Sequence, residues 1–363
     1  MALGLSKQRL IINGVFHASD SQDPIARAIE DQGVKASEAL PQALALLPRD
    51  EVPLRSFDSV GIAALRALLC DSQTAHSPST TPLEVHAQKS IATLIEDLSL
   101  QDHGLVMVMG KGGVGKTTIA AALALGLLAK GKTVQLSTTD PAAHLAQTLV
   151  QEVPGLRVSR IDPKVETQRY IDKMMASKAA LSADEKALLL EDLQSPCTEE
   201  VAVFHAFSHT VAQARHGFVV LDTAPTGHSL LLMDAAGAYH RQILSTYQQT
   251  GGGALSLITP LMRMQDRDYT KIILVTLPES TPVSQAAALQ EDLRRAKIEP
   301  YAWVLNRSVL AAHPSDPLLR ARLQGELAQI RRIEAGLSSN LFAIAFQPEP
   351  PVGLHALRSL LAQ

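Results

Sequence analysis

The chain has 363 residues, 46% of them hydrophobic and 19% charged, with a formal net charge of -3 at pH 7. That is ordinary globular composition, enough for two domains or one large one, without the clustered Lys and Arg of a nucleic-acid-binding face. Its longest apolar run, 119–129, is far too short to cross a bilayer, and the opening MALGLSKQRLIING has no apolar signal core. Cys70 and Cys197 stand far apart with no CxxC or zinc-type spacing, which suits a reducing cytoplasm. Any membrane role is therefore expected to run through a partner.

In chain order, residues 9–15 read RLIINGV, a strand ending in Asn-Gly, and 60–69 read VGIAALRALL, a helix. Both recur near the other end, as AWVLNRSV at 302–309 and VGLHALRSLL at 352–361. Asn13 to Gly61 spans 48 positions and Asn306 to Gly353 spans 47. Two landmarks at nearly equal spacing point to an internal repeat. Residues 1–70 are thus expected to be the tail of an earlier copy of one domain, with an unrelated small N-terminal domain as the alternative. Residues 71–100 read as a linker, polar and Pro/Ser/Thr-rich at 71–84, with a short amphipathic pattern at 91–98 that could dock.

From residue 101 to 363 one larger domain is expected. Apolar strands at 105–109, 133–138, 218–223, 271–276, 301–306 and 340–345 alternate with helical stretches. Short all-apolar strands between helices predict an α/β fold with a mostly parallel sheet covered on both faces. The stretch 164–215 is too long for one crossover and reads as a helical insertion. Its glycines and weak periodicity make 251–268 a loop.

The chemistry begins after the first of these strands. Gly110-Lys111-Gly112-Gly113-Val114-Gly115-Lys116-Thr117 follows a strand and opens a helix, the P-loop pattern in its required context. Its glycines let main-chain N–H groups turn around a phosphate, and the helix N-terminus adds a positive field. Lys116 supplies a charge to the β- and γ-phosphates, and the Thr117 hydroxyl is placed to ligate Mg²⁺, with Thr118 next to it on the nucleotide side. A P-loop NTPase that binds and hydrolyses ATP is the reading these residues support.

Three further polar residues end strands. Asp140, in STTDPAAHL, suits a helix N-cap before Pro141, and it also suits orienting or deprotonating an attacking water. Asp222, in VVLDTAPTGH, suits holding Mg²⁺ through water, followed by a turn that would sense the γ-phosphate. Asn306 suits a hydrogen bond to adenine or a plain turn.

Lys111 gives the loop a second lysine, and GKGGVGKT resembles the P-loop ATPases related to MinD, ParA and nitrogenase iron protein. That resemblance implies that Lys111 reaches a partner's phosphates across a dimer interface; the alternative is a solvated loop lysine. Together, GKGGVGKTT, STTDPAAHL, SRIDP (159–163), SPCTEE (195–200), DTAPTGH (222–228) and LVTLPE (274–279) resemble the arsenite/antimonite-transporting ATPase (ArsA) family, specifically its second half. The resemblance covers nearly all of 101–363, makes 1–70 similar to the end of the family's first half, and has SPCTEE as its most discriminating piece.

The resemblance implies an ATPase that couples binding of As(III) or Sb(III) to ATP hydrolysis and energises an integral membrane arsenite efflux protein. An arsenic metallochaperone would be a further partner, and the chain would sit in the cytoplasm, peripheral to the inner membrane. It also implies metalloid ligands at Cys197, His228 and Ser195, thiolate being apt for a thiophilic metalloid. Read alone, Cys197 would be an inert buried thiol and His228 a structural histidine. The family's first half supplies the remaining ligands and a second nucleotide site, both absent here, so a second ATPase half in trans or a homodimer is expected. The alternatives are a tail-anchored-protein targeting chaperone, against which stand the lack of CxxC and of a Met-rich groove; a partitioning switch, which leaves SPCTEE unexplained; and a remnant that binds ATP without metalloid stimulation.

Overall fold

A computed structural model describes residues 7–68, 88–140, 145–178, 182–224 and 258–362. Its centre is an eight-stranded parallel sheet. The strands are β3 (Lys89–Ser90), β4 (Gly104–Met109), β5 (Val134–Thr138), β6 (Leu156–Arg160), β7 (Phe218–Asp222), β8 (Thr270–Thr276), β9 (Ala302–Ser308) and β10 (Leu341–Ala345). Their spatial order is β3-β10-β9-β8-β4-β7-β5-β6. Every residue of β4 and β7 is buried, as continuous apolar strands covered on both faces require.

The six strands expected from 105 onward are all present. Two edge strands were not anticipated. β6 is exposed along much of its length and carries Arg157 and Arg160, so it lacks the apolar run that betrays a central strand. β3 has two residues and no readable period. The amphipathic pattern at 91–98 becomes helix α4 (Ile91–Ser99), following α1–α3 described below. It buries Ile91, Leu94, Ile95 and Leu98, so the expected linker joins the main sheet from residue 89 onward.

Helices cover both faces. On one, α4 packs against α5 (Lys116–Ala129), and a Cβ on Gly126 would lie 2.4 Å from Ile95 Cδ1, so glycine is what lets these helices approach. α5 is buried from Ile119 to Leu127 because it lies between the sheet, α4 and α14 (Leu354–Ser359). The short α6 (Leu145–Leu149) joins this side. On the other face lie α9 (Pro196–Gln213), α10 (Pro260–Gln265), α11 (Ser280–Arg295) and α13 (Pro317–Gly336), with α12 (Val309–Ala312) leading into α13. The expected insertion at 164–215 is three helices: α7 (Pro163–Ser177), α8 (Ala183–Leu193) and α9. Asp162 caps α7 ahead of Pro163, and Ser182 and Glu185 form a capping box on α8. Within the expected loop 251–268, residues 260–265 form α10 and bury Met264; 251–257 lie outside the described residues, as does the helix expected after Ser229.

The N-terminal segment forms β1 (Leu10–Val15), α1 (Pro24–Glu38), α2 (Gln42–Ala45), β2 (Arg49–Pro53) and α3 (Ile62–Leu68), with β1 and β2 parallel. Apart from the four-residue helices α2 and α12, this order matches β9-α13-β10-α14. Gly14 (φ 81) follows Asn13 at a break in the β1–β2 register, and Arg307 (φ 59) follows Asn306 at a break in the β9–β10 register. Gly61 (φ 90) and Gly353 (φ 84) precede the final helix of each set. Asp23-Pro24 and Asp316-Pro317 start α1 and α13 in the same way. The segment packs Phe16, Ile25 and Ala26 against Leu319 and Phe346.

Candidate nucleotide site

β4 ends at the centre of the sheet, between β7 and β8, and the P-loop leaves its C-terminal end, where parallel α/β sheets bind ligands. Three glycines make the loop possible. Gly110 (φ 151) passes so close to β8 that a Cβ would lie 2.4 Å from the Val275 carbonyl oxygen. Gly115 (φ 95) caps α5, and a Cβ there would lie 2.2 Å from Asn306 Nδ2. Gly113 (φ 83) faces open space, so conformation alone requires it. Lys111, Gly112 and Gly113 are exposed, Val114 is buried, and Gly115, Thr117 and Thr118 are half-buried.

Lys116 is buried at the head of α5, and its Nζ donates to the Lys111 carbonyl at 3.0 Å. Burial pushes its pKa below the usual lysine value, against the opposing pull of Asp222 and Asp140. A buried ammonium close to two carboxylates, its loop partner a main-chain carbonyl, is a ready cation for phosphate oxygens.

Asp222 is the centre of the polar cluster. Its Oδ2 accepts from Thr117 Oγ1 at 2.8 Å and from Thr138 Oγ1 at 3.2 Å. Its Oδ1 is buried with no hydrogen-bond partner among the described residues. Burial raises the carboxyl to about 6, although Thr117, Lys116 and Thr138 pull it down. A buried carboxylate with an orphan oxygen, beside a P-loop hydroxyl, fits a Mg²⁺ site: the donors are hard oxygens and the cation would satisfy the unpaired atom.

Thr138 went unnoticed in the sequence, yet it links the Asp222 carboxylate to the Asp140 main chain. Its hydroxyl donates to Asp222 and accepts from the Asp140 N–H at 3.1 Å. Thr139 accepts from Ala224 N at 3.1 Å, and Thr223 donates to the Val108 carbonyl at 2.9 Å. These threonines tie the ends of β4, β5 and β7 together. The signal for Thr138 and Thr139 was the run Ser-Thr-Thr-Asp, in which only the aspartate stood out.

Asn306 is brought to the back of the loop, where Nδ2 donates to the Val114 carbonyl at 2.9 Å. Glu326 supports it. This carboxylate is 5% exposed and accepts from Ser308 Oγ, from Val309 N at 3.1 Å and from Leu310 N at 3.2 Å, holding the turn that follows Asn306.

The expected metalloid ligands are not brought together by any described contact. Ser195 is the exposed residue before α9, its Oγ 3.3 Å from Thr198 Oγ1. Cys197 lies in the first turn of α9; its side chain, like His228 and Cys70, lies outside the described residues. Among the described residues no helix is long and apolar enough to cross a membrane.

Comparison with known proteins bears on this geometry. Residues 103–265 match the family model of the anion-transporting ATPases, ArsA_ATPase. The chain is 45% identical over 363 residues to an arsenical pump-driving ATPase of Escherichia coli, covering 99% of this chain and 62% of that protein. The figures are the same for an arsenical pump-driving ATPase of Acidiphilium multivorum. A putative arsenical pump-driving ATPase 2 of Aquifex aeolicus is 29% identical over 284 residues, 69% of this chain and 95% of that protein. The chain thus spans about 62% of the length of the first two relatives. The P-loop at the end of β4, the parallel sheet and these matches agree: residues 103–265 are a domain of the anion-transporting ATPase (ArsA) family.

Proposed function

We propose that the chain hydrolyses ATP at the P-loop and couples hydrolysis to efflux of trivalent arsenic or antimony through an integral membrane partner. The observation that carries the catalytic half is the Thr117–Asp222–Thr138 cluster beside buried Lys116. The loop N–H groups and Lys116 would gather the β- and γ-phosphates, Lys116 leaving the Lys111 carbonyl for phosphate oxygens. Asp140, its own N–H fixed by Thr138, would orient the attacking water and take its proton. Thr117 and Asp222 would hold Mg²⁺, which when bound neutralises charge on the phosphates. Asn306 has one amide group on the loop and leaves its carbonyl oxygen for the adenine amino group.

The assembly reading follows from what one site lacks. Exposed Lys111 would complete the site of a second ATPase unit, supplied in trans or by a second copy of this chain. Residues 1–70 would be the tail of an earlier copy of the domain, supported by the order of strands and main helices and by the matching positive-φ residues. Cys197, His228 and Ser195 would be this chain's share of a metalloid site facing that second unit, delivered to by an arsenic metallochaperone. The chain would act in the cytoplasm, at the inner membrane only through its efflux partner.

The test is ATPase activity with and without antimonite, for wild type and Cys197→Ala, alone and with a supplied first half. The chain alone should bind Mg-ATP and show little metalloid stimulation. The reconstituted pair should be stimulated, and Cys197→Ala should remove most of the stimulation. Stimulation that survives in Cys197→Ala would reject the ligand assignment, and absence of Mg-nucleotide affinity in any assembly state would reject the whole reading.

A further inference from the structure

Away from the P-loop, a cleft of about 860 Å³ lies between the β5–β6 edge of the sheet, α7 and α9. Its size is that of a small-molecule pocket. Cationic and cationisable groups face it from three elements: Arg160 on β6, Arg169 and Lys173 on α7, His205 and His209 on α9. One carboxylate lines it, Glu166, already paired with Arg169 at 2.7 Å. Lys173 has no ion pair among the described residues. The chain as a whole carries a net charge of -3, so this concentration of positive charge is local to the cleft.

The imidazoles are held in place. His205 stacks on Tyr170 with ring centroids 5.6 Å apart and an interplanar angle of 20°. Gln213 Nε2 lies 3.4 Å from His209 Nδ1. Burial, and after it the neighbouring Lys173, hold the His205 pKa below its usual value. The cleft also touches the nucleotide site. Ile161, in its wall, donates its N–H to the Thr138 carbonyl at 2.9 Å, and the Thr138 hydroxyl contacts both Asp222 and the Asp140 N–H.

We propose that this cleft binds a small phosphate-bearing molecule through Arg160, Lys173 and His209, and that its occupancy is coupled to the P-loop through Ile161 and Thr138. Guanidinium forks and an ammonium suit phosphate oxygens, and the apolar wall of Ile161, Met174 and Tyr170 leaves room for an organic body. The coupling half rests on the nucleotide reading above; the binding half does not.

The test uses the whole chain with its P-loop saturated by magnesium and a non-hydrolysable ATP analogue, binding of the analogue being measured first. AMP and inorganic phosphate are then titrated by calorimetry into wild type and Arg160→Gln/Lys173→Gln. One further site per chain is expected, weakened at least tenfold in the double variant while analogue affinity is unchanged. Tighter binding of AMP would assign the site to a nucleotide and tighter binding of phosphate to the free anion, and either supports the proposal. No binding beyond the analogue, or equal binding in the double variant, overturns it. Analogue affinity should also shift at least twofold when AMP or phosphate is present, and identical affinities would overturn the coupling.

Discussion

Asp23 and Asp316 brace each other across two helix starts. Asp23 Oδ1 caps α1 at Ile25 N and Ala26 N, while Oδ2 accepts from Ser315 N at 2.7 Å and Asp316 N at 2.8 Å. Asp316 answers in kind: Oδ1 caps α13 at Leu318 N and Leu319 N, and Oδ2 accepts from Ser19 N at 2.7 Å and Asp20 N at 3.1 Å. The two carboxylates occupy matching places in the two similar segments, so the contact is nearly self-complementary, as a two-fold interface would be.

Both carboxylates are buried, 1% exposed for Asp23 and 0% for Asp316. Asp23→Ala removes an N-cap and strands main-chain N–H groups, so it should cost about 2–3 kcal/mol in urea unfolding. Burial alone would raise the Asp23 carboxyl, but the backbone N–H groups of Asp316, Ala26, Ile25 and Ser315 outweigh it and hold the pKa below the usual range. Its contribution is therefore complete above the unfolded carboxylate pKa of about 4 and is lost as pH falls through the lower folded value. The gap between wild type and Asp23→Ala should narrow at pH 3; a constant gap from pH 7 to pH 3 would contradict it.

Asp222 has the opposite sign. With a folded pKa near 6 against 3.8, the folded chain keeps a proton that the unfolded chain has lost between those values. Nucleotide-free stability should fall as pH rises through this window, by on the order of 3 kcal/mol. Buried Glu326, also raised, adds in the same direction. Asp222→Asn should flatten most of the slope and unfold a few degrees above wild type at pH 7.5, while binding Mg-ATP at least tenfold more weakly. Thermal unfolding from pH 4 to 8 reads the first effect and calorimetry the second. An unchanged slope in Asp222→Asn would assign the titration elsewhere.

Gly110, Gly113 and Gly115 of the loop should separate by mechanism. Gly110→Ala sets a Cβ against the Val275 backbone, and Gly115→Ala sets one against the Asn306 amide. Each should lower ATP affinity more than tenfold and reduce stability. Gly113→Ala meets nothing within 4 Å and carries only the cost of a positive φ, about 1 kcal/mol. Equal losses at Gly113 and Gly115 would show that close packing on Asn306 is unimportant.

Glu326 is a positioning residue for Asn306. Glu326→Ala leaves Ser308, Val309 and Leu310 without their acceptor and should cost about 2–4 kcal/mol. Glu326→Gln keeps an acceptor and should be milder. In a folded Glu326→Gln, KM for ATP should rise with kcat nearly kept, because the disturbed contact lies behind the loop. A fall in kcat with KM unchanged would argue against this role.

Much of this was legible from one dimension. The P-loop announces itself because glycine and lysine at fixed spacing have no competing structural use, and the central strands because burial on both faces demands unbroken apolar runs. β6 hid because an edge strand need not be apolar, and α4 looked like linker because its apolar face finds a partner only when Gly126 lets it approach. Asn306 stood out as a strand-end amide, yet its contact with the Val114 carbonyl depends on the register of β8 and β9 beside β4.

The sequence by itself determined the six strands from residue 105 onward, the phosphate loop and the likeness between the two ends of the chain, since each depends on local spacing of residue types. The tertiary structure decided what those residues touch. Thr138 on the Asp222 carboxylate and the Asp23–Asp316 clasp join positions from 84 to nearly 300 residues apart. Only the folding of the sheet sets such distances, because burial and hydrogen-bond satisfaction are properties of the packed chain.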